Sequence, residues 1–279
     1  MSTSTVNLSS SILQNLYSLQ NIKNQMDSTE NKLATGLKVN SALDDPVSYF
    51  AAQDEKQRAS DLSSLKNAMS EGIQTIDAAN NGITSIKDLI ADAKSLAKSA
   101  LSSSDDDTRA SYLTQFNDLL GQIDQLASDS GYNGVNLLGG TTESLKVVFD
   151  ESGTSSITVA GVDASSTGLG LTTQTTGSWA TGTAGDAAIN AVITALDSAK
   201  TTLQSDAKSL STSLSSVTTR QDFTTNMINT LTTGAGNLIN ADTNEESANL
   251  TTLQTQQQLS IYSLSIANTA AQAVLKLFQ

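Results

Sequence analysis

The side chains best suited to chemistry in this chain are carboxylates and hydroxyls. Asp105, Asp106 and Asp107 form one acidic run, and Asp44 and Asp45 stand before the single proline, Pro46. Asp54–Glu55 and Glu245–Glu246 are adjacent pairs. Two carboxyl groups can act as the acid and base of glycoside hydrolysis only when they face one site. Adjacent residues on a helix diverge, so both pairs read as solvated surface charge. The Asp105–Asp107 run could hold a divalent cation, but the preferred reading is a helix start, where negative charge offsets the positive end of the dipole. The chain has no cysteine and no histidine. That excludes disulfides, thiolate nucleophiles, Cys/His zinc sites and any Ser-His-Asp or Cys-His arrangement. We therefore assign no catalytic residue, no cofactor-binding residue and no metal ligand. Asn7–Leu8–Ser9 and Asn249–Leu250–Thr251 match the N-glycosylation pattern, as chance provides in a chain rich in Asn, Ser and Thr.

Composition narrows the function classes further. The net charge is −13 and the pI about 4.2, so phosphate backbones and anionic membrane surfaces repel the chain. No window approaches ~18 consecutive apolar residues, and no membrane insertion is expected. The first twenty residues lack the basic start and continuous apolar stretch of a cleavable signal peptide, so an exported form would need a machine that reads an uncleaved end. Apolar residues make up 38% of the chain and aromatics only 4%. Long helices packed on Leu, Ile and Ala seams need few large rings. One proline among 279 residues permits very long helices.

The elements that would carry these residues are mostly helical. A first helix over about Leu8–Leu37 shows a 3/4-spaced row of Ile12, Leu16, Leu19, Lys23, Met26, Glu30, Leu33 and Leu37. Gly36 and the stretch Asn40–Pro46 break it, with Asp44 and Asp45 as the start of the next helix. A second segment to about Leu101 carries Leu62, Leu65, Met69, Ile76, Ile83, Ile86, Ile90, Ala93, Ala97 and Ala100 in heptad-like register. A helix of that length spans roughly 80 Å, which predicts a rod. A third helix from Asp105–Asp107 to Ser130–Gly131 has Tyr112, Phe116, Leu119, Ile123 and Leu126 on one face. Then Leu145–Phe149 and Ile157–Val162, with Glu151–Thr154 between them, read as a small β-hairpin at about 143–165. A Gly/Thr/Ser-rich loop follows, in which Trp179 is either an anchor or an exposed contact. A fourth helix runs from Gly185 to about Thr233, with Lys200, Gln221 and Thr224 as polar members of its seam, and Gly234 and Gly236 end it.

The last helix, about Asn244–Phe278, is apolar on two faces. Leu259, Tyr262, Ile266, Ala270, Ala273 and Leu277 form one row, and Ile261, Leu264, Ala271, Leu275 and Phe278 another. One partner helix cannot cover both, so this end is expected to order fully only within an assembly. The fold class is thus mainly α: a long antiparallel helical bundle or coiled coil with a small β-hairpin insertion.

Three stretches resemble bacterial flagellins. Leu33–Ala34–Thr35–Gly36–Leu37–Lys38–Val39–Asn40–Ser41–Ala42–Leu43–Asp44–Asp45 is similar to the family's N-terminal signature, and Tyr132–Asn133–Gly134–Val135–Asn136–Leu137–Leu138 to its aromatic-Asn-Gly-x-x-Leu-Leu element. Gln256–Leu259, Ala267–Asn268 and Gln272–Leu275 resemble its C-terminal pattern. The phrasing is close to alphaproteobacterial forms. The resemblance implies residues 1–45 with 240–279 as a terminal coiled-coil region forming the inner tube of a filament, and 46–239 as the surrounding helical domain. The middle is too short for large outer domains, so a minimal flagellin is implied. It further implies assembly through Ile12, Leu16, Leu19, Met26, Leu33, Leu259, Tyr262, Leu264, Ile266, Val274, Leu275, Leu277 and Phe278. Partners would be other copies of the chain, a type III flagellar export apparatus, a chaperone on the C-terminal helix, and cap and hook-associated proteins. The location would be extracellular. Many flagellins activate a Toll-like receptor through an Arg-containing stretch; Ala91–Ala97 has no arginine, which implies weak activation. A hook–filament junction protein or a coiled-coil binding module are the alternatives.

Overall fold

The computed structural model describes residues 10–277, except the side chains of 11, 271 and 274–277. The elements follow in the order α1 (Ser10–Thr35), α2 (Pro46–Ser102), α3 (Asp106–Asp129), β1 (Ser144–Val148), β2 (Ser156–Ala160), α4 (Thr183–Ile239) and α5 (Thr243–Leu277). The described residues are mainly α with one antiparallel β pair, and α2 and α4 reach 57 residues each. Two compact units divide it, Met1–Gln57 with Thr230–Gln279, and Arg58–Asn229. The division falls inside α2 and α4, whereas the helix breaks lie near residues 45 and 240.

In the Arg58–Asn229 unit, α2, α3 and α4 share one core. Lys94 bonds Asp197 and Ser70 meets Gln221, so α2 and α4 run antiparallel. Met69, Ile76, Ile83, Ile86, Ile90, Ala93, Ala97 and Ala100 are buried along α2. Leu113, Phe116, Leu120, Ile123 and Ala127 meet them from α3, and Ile189, Leu196, Leu203, Leu210 and Val217 from α4. The polar members of the α4 row differ. Lys200 is exposed and Ala199 fills the seam in its place. Gln221 is half-buried and donates to Ser70 Oγ at 2.7 Å, and Thr224 is buried.

The hairpin pairs Leu145 with Val159 and Val147 with Ile157. Val147 and Val159 are buried, and Val147 lies so close to Gly72 of α2 that a Cβ there would stand 2.8 Å from its Cγ2. Trp179 is an anchor, only 1% exposed, with its ring 5.3 Å from that of Phe116. It holds the glycine-rich loop on the core.

In the other unit α1 pairs with α5, and Lys32–Glu246 and Asn15–Ser263 show that they too run antiparallel. The packed row of α1 differs from the expected one. Ile12, Ile22 and Thr29 are buried and Leu19, Met26 and Leu33 half-buried, while Leu16, Lys23 and Glu30 face outward. The row through Ile22 and Thr29 keeps the 3/4 spacing without desolvating a charge. Gly234 and Gly236 do not end α4, which continues to Ile239. Gly234 lets α4 pass close to α2, since a Cβ there would stand 2.6 Å from Glu55 Oε2.

Candidate assembly surface and signature loops

The break after α1 and the break after α4 are built as one knot. Gly36 has φ +70°, a left-handed cap that glycine adopts without strain, and its amide donates to Lys32 O at 2.8 Å. Lys38 N then donates to Ile239 O at 2.7 Å, Ala241 N to Gly36 O at 2.9 Å, and Lys38 Nζ to Asn237 O at 2.9 Å. Val39 packs with Ala52, Ala235 and Ile239 beneath these bonds.

The acidic pair has two separate tasks. The Asp44 carboxylate accepts from Ser41 N at 2.9 Å, Asn40 N at 3.0 Å and Ser41 Oγ at 3.2 Å. The Ser41 and Asn40 amides hold its pKa below the ordinary carboxylate value. Asp45 caps α2, accepting from Ser48 Oγ at 2.7 Å, Val47 N at 3.1 Å and Ser48 N at 3.2 Å, with Pro46 in the first turn. The Ser48 hydroxyl is the main cause of its lowered pKa. Both acids satisfy backbone donors, which is a structural use.

The Asn133–Gly134 pair forms a two-residue turn. Their φ values are +48° and +82°, and Tyr132 and Val135 exchange bonds of 2.9 and 3.0 Å. Positive φ at both central residues is the signature of a type I′ turn, which Asn-Gly favours. Asn136 next caps the end of α3, donating from Nδ2 to Ala127 O at 2.8 Å and Ser128 O at 2.9 Å. Leu137 and Leu138 are then fully buried and accept from Val162 N and Ala164 N.

The Asp105–Asp107 run has the same structural character. Asp105 caps α3 through Thr108 N at 2.8 Å, and Asp106 accepts from Thr181 N at 2.6 Å. Among the described residues no group of three or more His, Cys, Asp or Glu could hold a metal ion. Sequence reasoning missed Arg109. It is 4% exposed and donates to Ser103 O at 2.8 Å, Ala180 O and Leu101 O at 3.3 Å, and Asp186 Oδ1 at 2.8 Å. It thereby ties the end of α2, the start of α3 and the start of α4. A lone Arg two residues after the Asp105–Asp107 run was the available signal.

The remaining feature is uncovered apolar surface on the α1–α5 pair. On α1, Leu13 is 40%, Leu16 46% and Tyr17 68% exposed, and on α5, Leu259 is 64%, Ile261 52%, Tyr262 71% and Ile266 70% exposed. Leu264 is half-buried, and Asn268 is exposed. The side chains of Val274, Leu275 and Leu277, and Phe278 altogether, lie outside the described residues. No helix among the described residues is long and apolar enough to cross a membrane.

Paired ends, capped breaks and uncovered apolar rows define a helical protein built to be part of something larger. The chain belongs to the bacterial flagellin family. Residues 6–143 match the bacterial flagellin N-terminal helical region and residues 193–278 the C-terminal helical region. Flagellin FljO of Caulobacter vibrioides is 32% identical over the full length of both chains. Flagellin FljK of the same organism is 31% identical over the same span, and the flagellin of Brucella melitensis is 29% identical over 97% of each chain. Both organisms are alphaproteobacteria. The protein is a structural subunit of the bacterial flagellar filament, an extracellular assembly.

Proposed function

We propose that the subunit polymerises through the outward rows of α1 and α5. The observation that carries this is the apolar surface that the α1–α5 pair leaves open, from Leu16 to Ile266. Each such side chain gains on the order of 1 kcal/mol when a neighbouring copy covers it, since each is already partly shielded. In this reading Ile12, Leu19, Met26, Leu33 and Leu264 hold the pair together, and Leu16, Leu259, Tyr262 and Ile266 meet other copies. Val274, Leu275, Leu277 and Phe278 complete the proposed assembly set. The signature residues Gly36, Asn40, Ser41, Asp44, Asp45, Asn133, Gly134, Leu137 and Leu138 set the loops, and Asn268 lies within the assembly. Residues 1–45 and 240–279 line the inner tube, and 46–239 surround it.

The protein reaches the filament through a type III export apparatus, with a chaperone covering the apolar C-terminal helix. Cap and hook-associated proteins are its further partners, and it catalyses nothing. Activation of the Toll-like receptor is weak, because the Ala91–Ala97 stretch offers Asp92 at its surface and buries Ala93 and Ala97. A reporter-cell assay showing potency equal to an enteric flagellin would refute this.

The deciding experiment is truncation after Ala241. The shortened protein stays soluble and forms no filaments by negative-stain microscopy after seeding. Filaments from it would remove α5 from the assembly role.

A further inference from the structure

The sequence contains two Asn-Gly pairs, Asn81–Gly82 and Asn133–Gly134, and the fold places them in opposite settings. Asn133 and Gly134 are both exposed at the tip of a two-residue turn. The bonds that close this turn belong to Tyr132 and Val135, on either side of the pair. Rotation of the Asn133–Gly134 peptide therefore breaks no helix or strand. Gly134 brings no Cβ to hinder approach to its nitrogen.

Asn81–Gly82 lies in the interior of the 57-residue α2. The Asn81 carbonyl accepts from Ser85 Oγ at 3.1 Å. Gly82 is wedged into the core, where even a Cβ would stand 2.2 Å from Ser130 Oγ and 2.7 Å from Leu138 Cδ1. Turning this peptide requires local opening of α2 against its packed neighbours.

We propose that Asn133 is a site of spontaneous deamidation and that α2 protects Asn81 from the same reaction. The Gly134 nitrogen, having lost its proton to solvent, attacks Asn133 Cγ. The N–Cγ bond forms, the Cγ–Nδ2 bond breaks, and the amide nitrogen leaves as ammonia after taking a proton from solvent. Water then opens the succinimide. Attack at Cγ gives aspartate, and attack at the main-chain carbonyl gives isoaspartate. Either product adds one negative charge. Isoaspartate also adds a methylene to the backbone of a turn that has only two residues. That shift moves Asn136 off its α3 carbonyls and strains the entry of Leu137 and Leu138 into the core. The turn is thus a chemically ageing point in an otherwise durable subunit.

The test uses the purified full-length chain held for days in mildly alkaline buffer at physiological temperature. Peptide mass mapping reads conversion at each pair, and labelling by isoaspartyl methyltransferase reads the isoaspartate product. A parallel sample is kept unfolded in urea. In the folded chain Asn133 converts at least about tenfold faster than Asn81, equivalent to ~1.4 kcal/mol of extra opening free energy at α2. In urea the two rates converge. Asn133 intact in the folded chain, or converting no faster than Asn81 there, overturns the proposal.

Discussion

Arg109 shows how much one buried side chain can organise. It joins three carbonyls and the Asp186 carboxylate at the place where α2, α3 and α4 begin or end. Arg109→Met keeps the volume and removes every donor, so three carbonyls and one acid lose their partner together. A loss of about 3 kcal/mol is expected, read as a drop in urea midpoint at unchanged slope. Lysine at this position recovers little of it, because one ammonium cannot reproduce the planar fork. Asp150 is the second residue with a clear signature. The Ser152 hydroxyl, then the Thr154 hydroxyl and the Ser155 amide, hold its carboxyl down at about 2. A lowered acid stabilises the native form above its unfolded pKa, near ~3.9, and that stabilisation is lost as pH falls through the folded value. The Ser155 amide resonance should therefore shift with a midpoint at about pH 2. A midpoint at the ordinary aspartate value would show that the loop is not tied by Asp150.

Two helical glycines separate packing from propensity at the scale of the element. Gly121 sits on the exposed side of α3 with nothing within 4 Å of an added Cβ. Gly121→Ala should stabilise by about 0.5–1 kcal/mol through helix propensity alone. Gly82 sits in α2 against Ser130 and Leu138, and Gly82→Ala should cost about 1–3 kcal/mol although alanine is the better helix former. Thermal melts of the two variants against the parent should move in opposite directions. The same contrast explains what could be read from the sequence. The α2 row from Met69 to Ala100 and the hairpin were legible because most positions at their periods of 3.5 and 2 are apolar. The α1 row was misread at Leu16, Lys23 and Glu30, each one position beyond the packed side, because the buried Thr29 is polar and hides the true period. The end of α4 was misplaced because glycine serves two purposes, breaking helices and letting them approach, and only the neighbour at Glu55 tells which. The role of Arg109 was hard to read because three of its four acceptors are backbone carbonyls, which no residue type announces.

The proposed assembly surface belongs to the scale of the whole molecule. Tyr262 and Ile266 are 71% and 70% exposed, so replacing both by serine removes apolar surface without opening a core. The folded stability of the subunit should stay within about 0.5 kcal/mol of the parent, measured by chemical unfolding. The concentration needed for seeded elongation should rise roughly tenfold or more, because each lost contact is worth on the order of 1 kcal/mol. A variant that elongates at the parental concentration would place the contact elsewhere.

One further property follows from the partnership of α1 with α5. Asn15 meets Ser263 across 248 positions of chain, and Lys32 meets Glu246 across 214. Loop closure on that scale is slow, and it cannot begin before the final segment is present. On the export route proposed above, a polypeptide threaded outward in linear order would carry its own timer. The leading end would wait without a mate until the trailing end arrives, and topology alone would delay maturation.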